Sequence, residues 1–513
     1  MPDWRLHVHD EFEMLAIVSL LAFERLDSRA RGGVRQASMC AMPSRLRGGG
    51  APLVLAVDTV GSYADELNNE CAARGGRLVQ VWSTEFADGE LAGDELTDEE
   101  RADLLQNRAP EPSCELEWAQ RRFGGAGNIA AVVCVSDHGL ATSERLASAL
   151  GVNGNGVLPA RRDKLAMAEA VRAAGLESVR QCLALDWESA AAFVRQHLPP
   201  GAPCVLKPRR GVASVGVYKA SSLHEARAAF IALRGLPVSS DSAVSVREGV
   251  LVQECVEGRE YAVDTASRRG EHKVVHLWRY DKRELNGAHF VYQATILCDG
   301  LSSEEERVMR YAQHVLDALR VRDGPAHLEV RAAAPPRGPV LIEANVGRWH
   351  GVPYSASLGN LAQGYNAFGA VMDACLDADA WGRLPATPAL RAHARMVHLV
   401  LSGVGRVLSV NLPQPGDADL PSLVEAEAKY EPGDMVVRPS TDLKSDGGHL
   451  LLVSCDAATV EADYAVVLER QPTFFELKPE ETERSSIGGV ACDIPSYVRA
   501  LLAADSDSSK AGG

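Results

Sequence analysis

Glu329, Glu343 and Asn345 carry the clearest chemical pattern in this sequence. The stretch "GPVLIEANVGRWHG", Gly338 to Gly351, sets a carboxylate and an amide two residues apart in a run otherwise rich in Val, Leu and Ile. The run "AHLEVRA" precedes it, and the connecting residues 332–339 contain Pro335, Pro336, Gly338 and Pro339, a turn region. Side chains alternate faces along a strand. Leu341, Glu343 and Asn345 therefore share one face, Val340, Ile342 and Ala344 share the other, and His327, Glu329 and Arg331 face together. A hairpin of the two runs puts Glu329, Glu343 and Asn345 on one surface. Oxygen donors so spaced suit a hard cation, Mg²⁺ or Mn²⁺, which keeps several waters and also binds phosphate oxygens. A solvated strand face would show the same alternation.

Two further segments could serve a phosphate compound. In "VLKPRRGVASVGV", Lys207 ends an apolar strand, and a loop with Gly211, Ser214 and Gly216 turns back into a second strand. Backbone N–H groups of such a loop can approach phosphates closely. It is not a G-x-x-x-x-G-K-[ST] loop, because the lysine precedes the glycines and a strand follows. In "VLVQECVEGREYAVDTAS", an apolar strand ends at Gln253–Glu254, passes a short hinge to Gly258, and resumes after Glu260. Such a hinge offers backbone groups and a side chain to a purine edge, and Glu260 to ribose hydroxyls.

Taken in order, these segments resemble the ATP-grasp superfamily over about residues 50–360. Within it the chain looks like the carboxylate–amine ligases, including D-alanine–D-alanine ligase and the bacterial L-amino-acid ligases that make dipeptides. The resemblance implies that Lys164 and Lys207 hold nucleotide phosphates and that Ser214 and Gly216 belong to the lid loop over them. It makes Gln253, Glu254 and the backbone through Val256 the adenine hinge, and Glu260 the ribose ligand. Glu329, Glu343 and Asn345 become the metal ligands, and Arg348 steadies an acyl-phosphate. The hinge carboxylate is ambiguous by one position, since Gln253 could take the place given to Glu254. The family's ending N-x-R is one residue longer here, Asn345-Val346-Gly347-Arg348.

The implied chemistry is attack of a carboxylate on the γ-phosphate of ATP, giving an acyl-phosphate and ADP, then capture by an amine. Substrate contacts are sought in "HLWRYDKRELNGAHFVYQATIL", where Arg279 or Arg283 could bind a carboxylate in a forked manner. His350 and Trp349 could line the same pocket. Rival readings are a carboxylase or purine-pathway ligase of the same superfamily, and a non-catalytic nucleotide-binding regulator. No A-M-K-M biotin-attachment sequence occurs.

The elements that must position these residues follow from periodicity. "PLVLAVD" and "RLVQVWS" read as strands around the helix "SYADELNNECAARGG", and "NIAAVVCVSDHGLATSERLASALG" as strand, turn and helix. This alternation indicates a doubly wound parallel sheet. "RRDKLAMAEAVRAAGL" reads as a helix that carries Lys164. "ARMVHLVLSGVGRVLSV", "GDMVVRP" and "HLLLVSCD" are β-type runs with tight turns. The expected fold class is α/β and α+β multidomain. It has an N-terminal α/β domain over 51–155, an ATP-grasp domain of two α+β subdomains over 156–385, and a small β-rich domain over 386–502. Residues 1–50 read as a poorly ordered extension and 503–513 as a disordered tail.

Bulk properties fit that picture. The chain has 513 residues, 46% hydrophobic and 24% charged, as in ordinary soluble proteins. A net charge of −16 argues against a general nucleic-acid binder and a basic membrane surface. The 11 cysteines are scattered without C-x-x-C, which suits free thiols in a reducing, cytoplasmic compartment. Residues 25–48 are rich in Arg, Ser and Gly, as an organelle leader would be, but Asp3, Asp10, Glu11 and Glu13 speak against one. Expected partners are a small carboxylic acid and an amine, with no nucleic acid and no membrane. Oligomeric state stays open, a homodimer being one option.

Overall fold

A computed structural model describes residues 50–59, 61–91, 98–135, 139–210, 216–235, 248–347, 354–443 and 445–479. The expected extension over 1–50, save its last residue, and the expected tail lie outside these residues.

The first strands are short and apolar: β1 (Leu53–Val57), β2 (Arg77–Val81) and β3 (Ile129–Cys134). They form a parallel sheet in the order β2-β1-β3. All five residues of β1 are buried, as a central strand covered on both faces requires. Helix Gly61–Ala73 makes the crossover, burying Leu67 and Cys71 against the sheet and helix Ala367–Leu376.

Next come β4 (Gln181–Ala184), β5 (Cys204–Lys207), β6 (Tyr218–Ala220) and β7 (Val250–Glu254). They pair antiparallel in the order β4-β7-β5-β6. One face is apolar: Cys204, Leu206, Val250 and Val252 pack beneath helices Trp187–His197 and Leu223–Arg234. Alternation leaves Lys207, Leu251, Gln253 and Gln181 on the other face.

Then follow β8 (Arg259–Arg268), β9 (Glu271–Leu285), β10 (Ala288–Leu297), β11 (Gly324–Ala332) and β12 (Pro339–Val346). After them come β13 (His393–His398), β14 (Gly405–Val410), β15 (Leu423–Ala428), β16 (Met435–Val436), β17 (Gly448–Ser454) and β18 (Phe475–Lys478). The main sheet has eight strands in the order β12-β11-β8-β9-β10-β13-β17-β15. Here the sequence reading needs correction. Strands β13, β15 and β17 do not build a separate domain but continue the central sheet, and only β14, β16 and β18 form a small sheet of their own. Long-range pairing of β10 with β13 joins the two regions.

The back face of the main sheet carries the core. Val263, Leu277, Leu328, Val330 and Ala344 pack on helix Ser303–Ala318, which contributes Val308, Ala312, Val315 and Leu316. That helix begins with a reciprocal capping box between Ser302 and Glu305. The front face is polar around β8, β9, β11 and β12, and further along it is covered by helix Tyr354–Ala362. Among the described residues no helix is long and apolar enough to cross a membrane.

Leu328 is fully buried in the strand that carries Glu329, and its side chain points to the back. Leu328→Ala should cost about 2–5 kcal/mol in urea unfolding, the usual range for an unfilled core site. A loss below about 1 kcal/mol would mean that this core does not hold the site strand.

Candidate functional site

The β11–β12 pairing decides the site. Glu329 stands opposite Glu343, and His327 opposite Asn345, so all four share the front face. The hairpin argument from alternation holds for these residues. It fails at Leu341. The register slips between Glu329 and Val330, leaving Ile342 as the extra residue, and Leu341 turns into the back core. The neighbouring strand adds Asp264 opposite His327 and Glu260 opposite Arg331.

Two lysines come to these acids from elsewhere. Lys164 opens helix Lys164–Ala173, whose N-cap Asp163 accepts from Leu165 and Ala166. The backbone N–H of Lys164 donates to Arg209 O at 3.1 Å, and Arg209 pairs with Asp163. This docks the helix on the chain just past Lys207. Lys164 Nζ then lies 2.8 Å from Glu343 Oε1. Lys207 is 5% exposed at the end of β5. Burial, with Lys164 close by, pushes its pKa down to about 8, against the pull of Glu343 and Glu329.

Glu329 is the complementary group. Burial raises its pKa, Glu260 and Glu343 add to the effect, and Lys282 and His327 oppose it. Among the described residues its one ion-pair partner is His327, whose Nε2 is 4.0 Å from Oε1. His327 Nδ1 is 2.6 Å from Asp264 Oδ1, and Trp278 donates to Asp264 Oδ2 at 2.6 Å. Burial works against a charge on His327, yet Asp264 holds its pKa above the ordinary value. Glu260 is buried between Lys282 at 2.6 Å and Arg331 at 2.5 Å, and these cations keep its carboxyl ionised against burial. Lys282 Nζ also lies over the rings of Tyr280 and Tyr292, at 4.7 and 4.3 Å from their centroids.

A divalent cation fits this donor set. Two carboxylates face each other with an amide beside them, one of them, Glu329, is partly buried and has no hydrogen-bonding cation among the described residues, and all the donors are oxygen.

The structure separates Gln253 from Glu254. Gln253 shares the front face of its sheet with Lys207. Its Nε2 donates to Gln181 Oε1 at 2.5 Å, and Gln181 Nε2 reaches the carbonyls of Lys164 and Leu165 at 3.5 and 3.4 Å. That donor chain sets the amide with Oε1 as its remaining acceptor. Glu254 points to the other face, where Arg337 and Arg180 take its carboxylate. Val256 is buried against Ala168, Val179 and Val340.

Arg279 and Arg283 are not brought to the cluster. They alternate with Trp278, Tyr280 and Lys282, so they project to the back. There Arg283 pairs with Asp281, itself held by Tyr464. The expectation that Arg279 or Arg283 binds a substrate carboxylate assigned no secondary structure to this stretch, which is the middle of β9. Lys282 is the cation that faces the site. Gly216 sits just before β6 with φ +72°. Ser214, Arg348, Trp349 and His350 lie outside the described residues.

Asp264, Trp278, Tyr280 and Tyr292 were not found from sequence. The signal was present: Glu260, Ala262 and Asp264 alternate in "EYAVDT" as Glu329 does in "HLEVR".

The chain is similar to known proteins in sequence and in fold. Residues 200–355 match the model of the ATP-grasp domain. Dapdiamide A synthase of Enterobacter agglomerans is 26% identical over 326 residues, 62% of this chain and 73% of that protein. The crystal structure of L-amino acid ligase from Bacillus licheniformis aligns with a TM-score of 0.57 at 15% identity, over 85% of this chain and 100% of that one. The biotin carboxylase domain dimer of Hydrogenobacter thermophilus 2-oxoglutarate carboxylase, solved with MgADP and bicarbonate, aligns with a TM-score of 0.55 at 14% identity, over 83% and 90%.

Lys207 generates a pH prediction. An ammonium with a pKa of about 8 serves phosphates only while protonated, so ATP affinity should fall as pH rises through about 8. Calorimetric titration of ATP from pH 7 to 9.5 checks this, and Lys207→Met should bind weakly with a flat profile. The same group gives stability the opposite sign. Between about 8 and 10.5 the unfolded chain keeps a proton that the folded one has lost, so stability rises with pH there.

Residues 200–355 thus match the ATP-grasp domain model, and over 85% of its length the chain shares the fold of the L-amino acid ligase from Bacillus licheniformis.

Proposed function

We propose that this protein activates the carboxylate of an amino acid as an acyl-phosphate and joins it to an amine, releasing ADP and phosphate. The observation that carries the reading is the convergence of Lys164 and Lys207 on Glu329 and Glu343 between two sheets. The names of the relatives, an L-amino acid ligase and dapdiamide A synthase, support an amino-acid substrate.

Each residue has a task that follows from its place. Gln253 Oε1 accepts from the adenine amino group, and the hinge backbone through Val256 reads the rest of the purine edge. Glu260, kept ionised by Lys282 and Arg331, accepts from ribose hydroxyls. Lys164 and Lys207 bind the β- and γ-phosphates, and Lys164 leaves Glu343 for them when the nucleotide enters. Ser214 and Gly216 close over the phosphates. Glu329, Glu343 and Asn345 would hold Mg²⁺ or Mn²⁺, which neutralises phosphate oxygens. A substrate carboxylate oxygen attacks the γ-phosphorus, and the bond to the ADP oxygen breaks. Arg348 steadies the acyl-phosphate. The amine nitrogen attacks its carbonyl carbon, phosphate leaves, and the amine proton passes to solvent. No nucleophilic side chain is needed, because the chemistry rests on placement and fixed charge. The setting is cytoplasmic, and a homodimer is compatible with the fold.

ADP release, measured with Mg²⁺-ATP and amino acids singly and in pairs, tests the proposal. Turnover should require an acid and an amine together, with an amide seen by mass spectrometry, and hydroxylamine should trap the activated acid as a hydroxamate. Turnover that needed bicarbonate would favour a carboxylase, and no hydroxamate from a broad panel would sink the ligase reading. Glu343→Gln should lower turnover by about two orders of magnitude or more, as loss of a charged ligand does, with little change in melting temperature. GTP should be a poor substitute, because Gln253 Oε1 would meet the O6 acceptor of guanine. Equal rates with ATP and GTP would remove Gln253 from the adenine site.

A further inference from the structure

Arg337 sits in the turn between β11 and β12, yet its guanidinium does not face the acids of that hairpin. It forks onto Glu254 at the end of β7, with Nη2–Oε1 at 2.5 Å and Nη1–Oε2 at 3.0 Å. Nη2 also donates to Ser178 O and Nε to Glu177, both at 3.2 Å. Glu254 receives the backbone N–H of Arg180 at 2.7 Å. The pair is largely shielded, with side-chain exposures of 22% for Arg337 and 11% for Glu254. A forked, partly desolvated pair of this kind fixes orientation as well as distance.

The same seam has other contacts. Gly258, just past β7, has φ +130°, and a Cβ there would lie 2.2 Å from Ala332 O. Arg331 donates to Gly258 O at 2.9 Å, and Ser178 bridges to Leu341. The hinge end of the four-stranded sheet therefore rests against the turn of the hairpin that carries Glu329 and Glu343. Among the described residues, only the Arg337–Glu254 fork joins the two by paired charges on β7 itself.

We propose that Arg337 is a positioning residue. Its clasp on Glu254 sets the spacing and angle between the purine-facing end of β7 and the acids of β11–β12, and so presets the span that ATP must bridge. The proposal rests on the ATP site argued above. ATP is a ligand with two heads, a purine seated at Gln253 and a triphosphate seated at Lys164, Lys207 and the acids. Once one head is bound, the other binds as if at a high local concentration, provided the two seats keep the right separation. Loosening the clasp leaves both seats intact and lets their separation vary, so the cost falls on the linked ligand alone. A residue that merely supported the fold would weaken every ligand and the melting temperature together.

The test compares ATP, adenosine and inorganic tripolyphosphate, each with Mg²⁺, by calorimetry or by competition against a fluorescent nucleotide. Wild-type protein, Arg337→Ala and Arg337→Lys are used, and melting temperatures are recorded. Arg337→Ala should bind ATP about tenfold more weakly while adenosine and tripolyphosphate stay within about twofold. Arg337→Lys should fall between, because an ammonium reaches Glu254 without the fork. Wild-type affinity for ATP in Arg337→Ala would overturn the clasp. A loss for adenosine as large as that for ATP would overturn it too, since that is damage to the purine seat. If the wild-type protein bound neither ATP nor adenosine, the ATP-site reading itself would fall, and the clasp with it.

Discussion

Glu329 and Glu343 stand opposite each other on neighbouring strands, and like charges so placed repel. The rest of the site can be understood as the answer to that repulsion. Lys164 neutralises Glu343 directly. Lys207 lies near both acids but is buried beside a second ammonium, which is why its proton is loosely held. Glu329 is left with an imidazole at 4.0 Å, and burial raises its pKa. Glu329 and Lys207 are therefore the less well matched pair of the cluster, an acid whose pKa is raised and an ammonium whose pKa is lowered. In the proposed reaction a triphosphate with its divalent cation would satisfy both at once. Strain of this kind persists only because the flanking core is firm, here Leu328, Val330 and Ala344 against helix Ser303–Ala318.

The charge pattern also reconciles an acidic protein with anionic ligands. A net charge of −16 would repel ATP and a carboxylate at long range, but in salt that repulsion fades beyond about 8 Å. Lys207, Lys282 and Arg331 on the two sheets and Lys164 at a helix start are gathered around the acids, where the local field is what counts. Glu260 shows how such a cluster can still offer an acceptor. Its two cationic neighbours keep it ionised, so it can take hydroxyl protons even when nearly dry.

What could be read from the sequence was what alternation controls. The pairing of Glu329 with Glu343 followed from two β-type runs and a turn, because antiparallel neighbours share faces residue by residue. The same rule failed for Leu341, where a bulge adds one residue and reverses the parity, and a bulge leaves no mark in composition. It was not applied to residues 276–283, which were read for their charges alone. Once that stretch is a strand, Lys282 must face forward and Arg279 and Arg283 backward. The ambiguity of Gln253 and Glu254 was likewise one of parity, and the pairing of Lys207 opposite Leu251 puts Gln253, not Glu254, on the face of Lys207. The membership of β13, β15 and β17 in the main sheet depends on the pairing of β10 with β13, between residues about a hundred apart, and no local signal reports it.

The two sheets that supply the site are joined chiefly at one seam, and this places a demand on the hinge. The lysine-bearing sheet must be able to shift enough for a nucleotide to enter between it and the acids. The purine end must not shift, or the phosphates would be delivered to the wrong place. A tight seam at Gly258 and Arg337 on one side, with Lys207 farther along the lysine-bearing sheet, meets both demands. Rotation about such a seam moves the far end much and the near end little. The carboxylate of Glu254 is thus better spent on Arg337 than on the base. The purine can be read by an amide and by backbone, whereas only a charged fork of low exposure can hold the pivot in register while the remainder of the sheet moves.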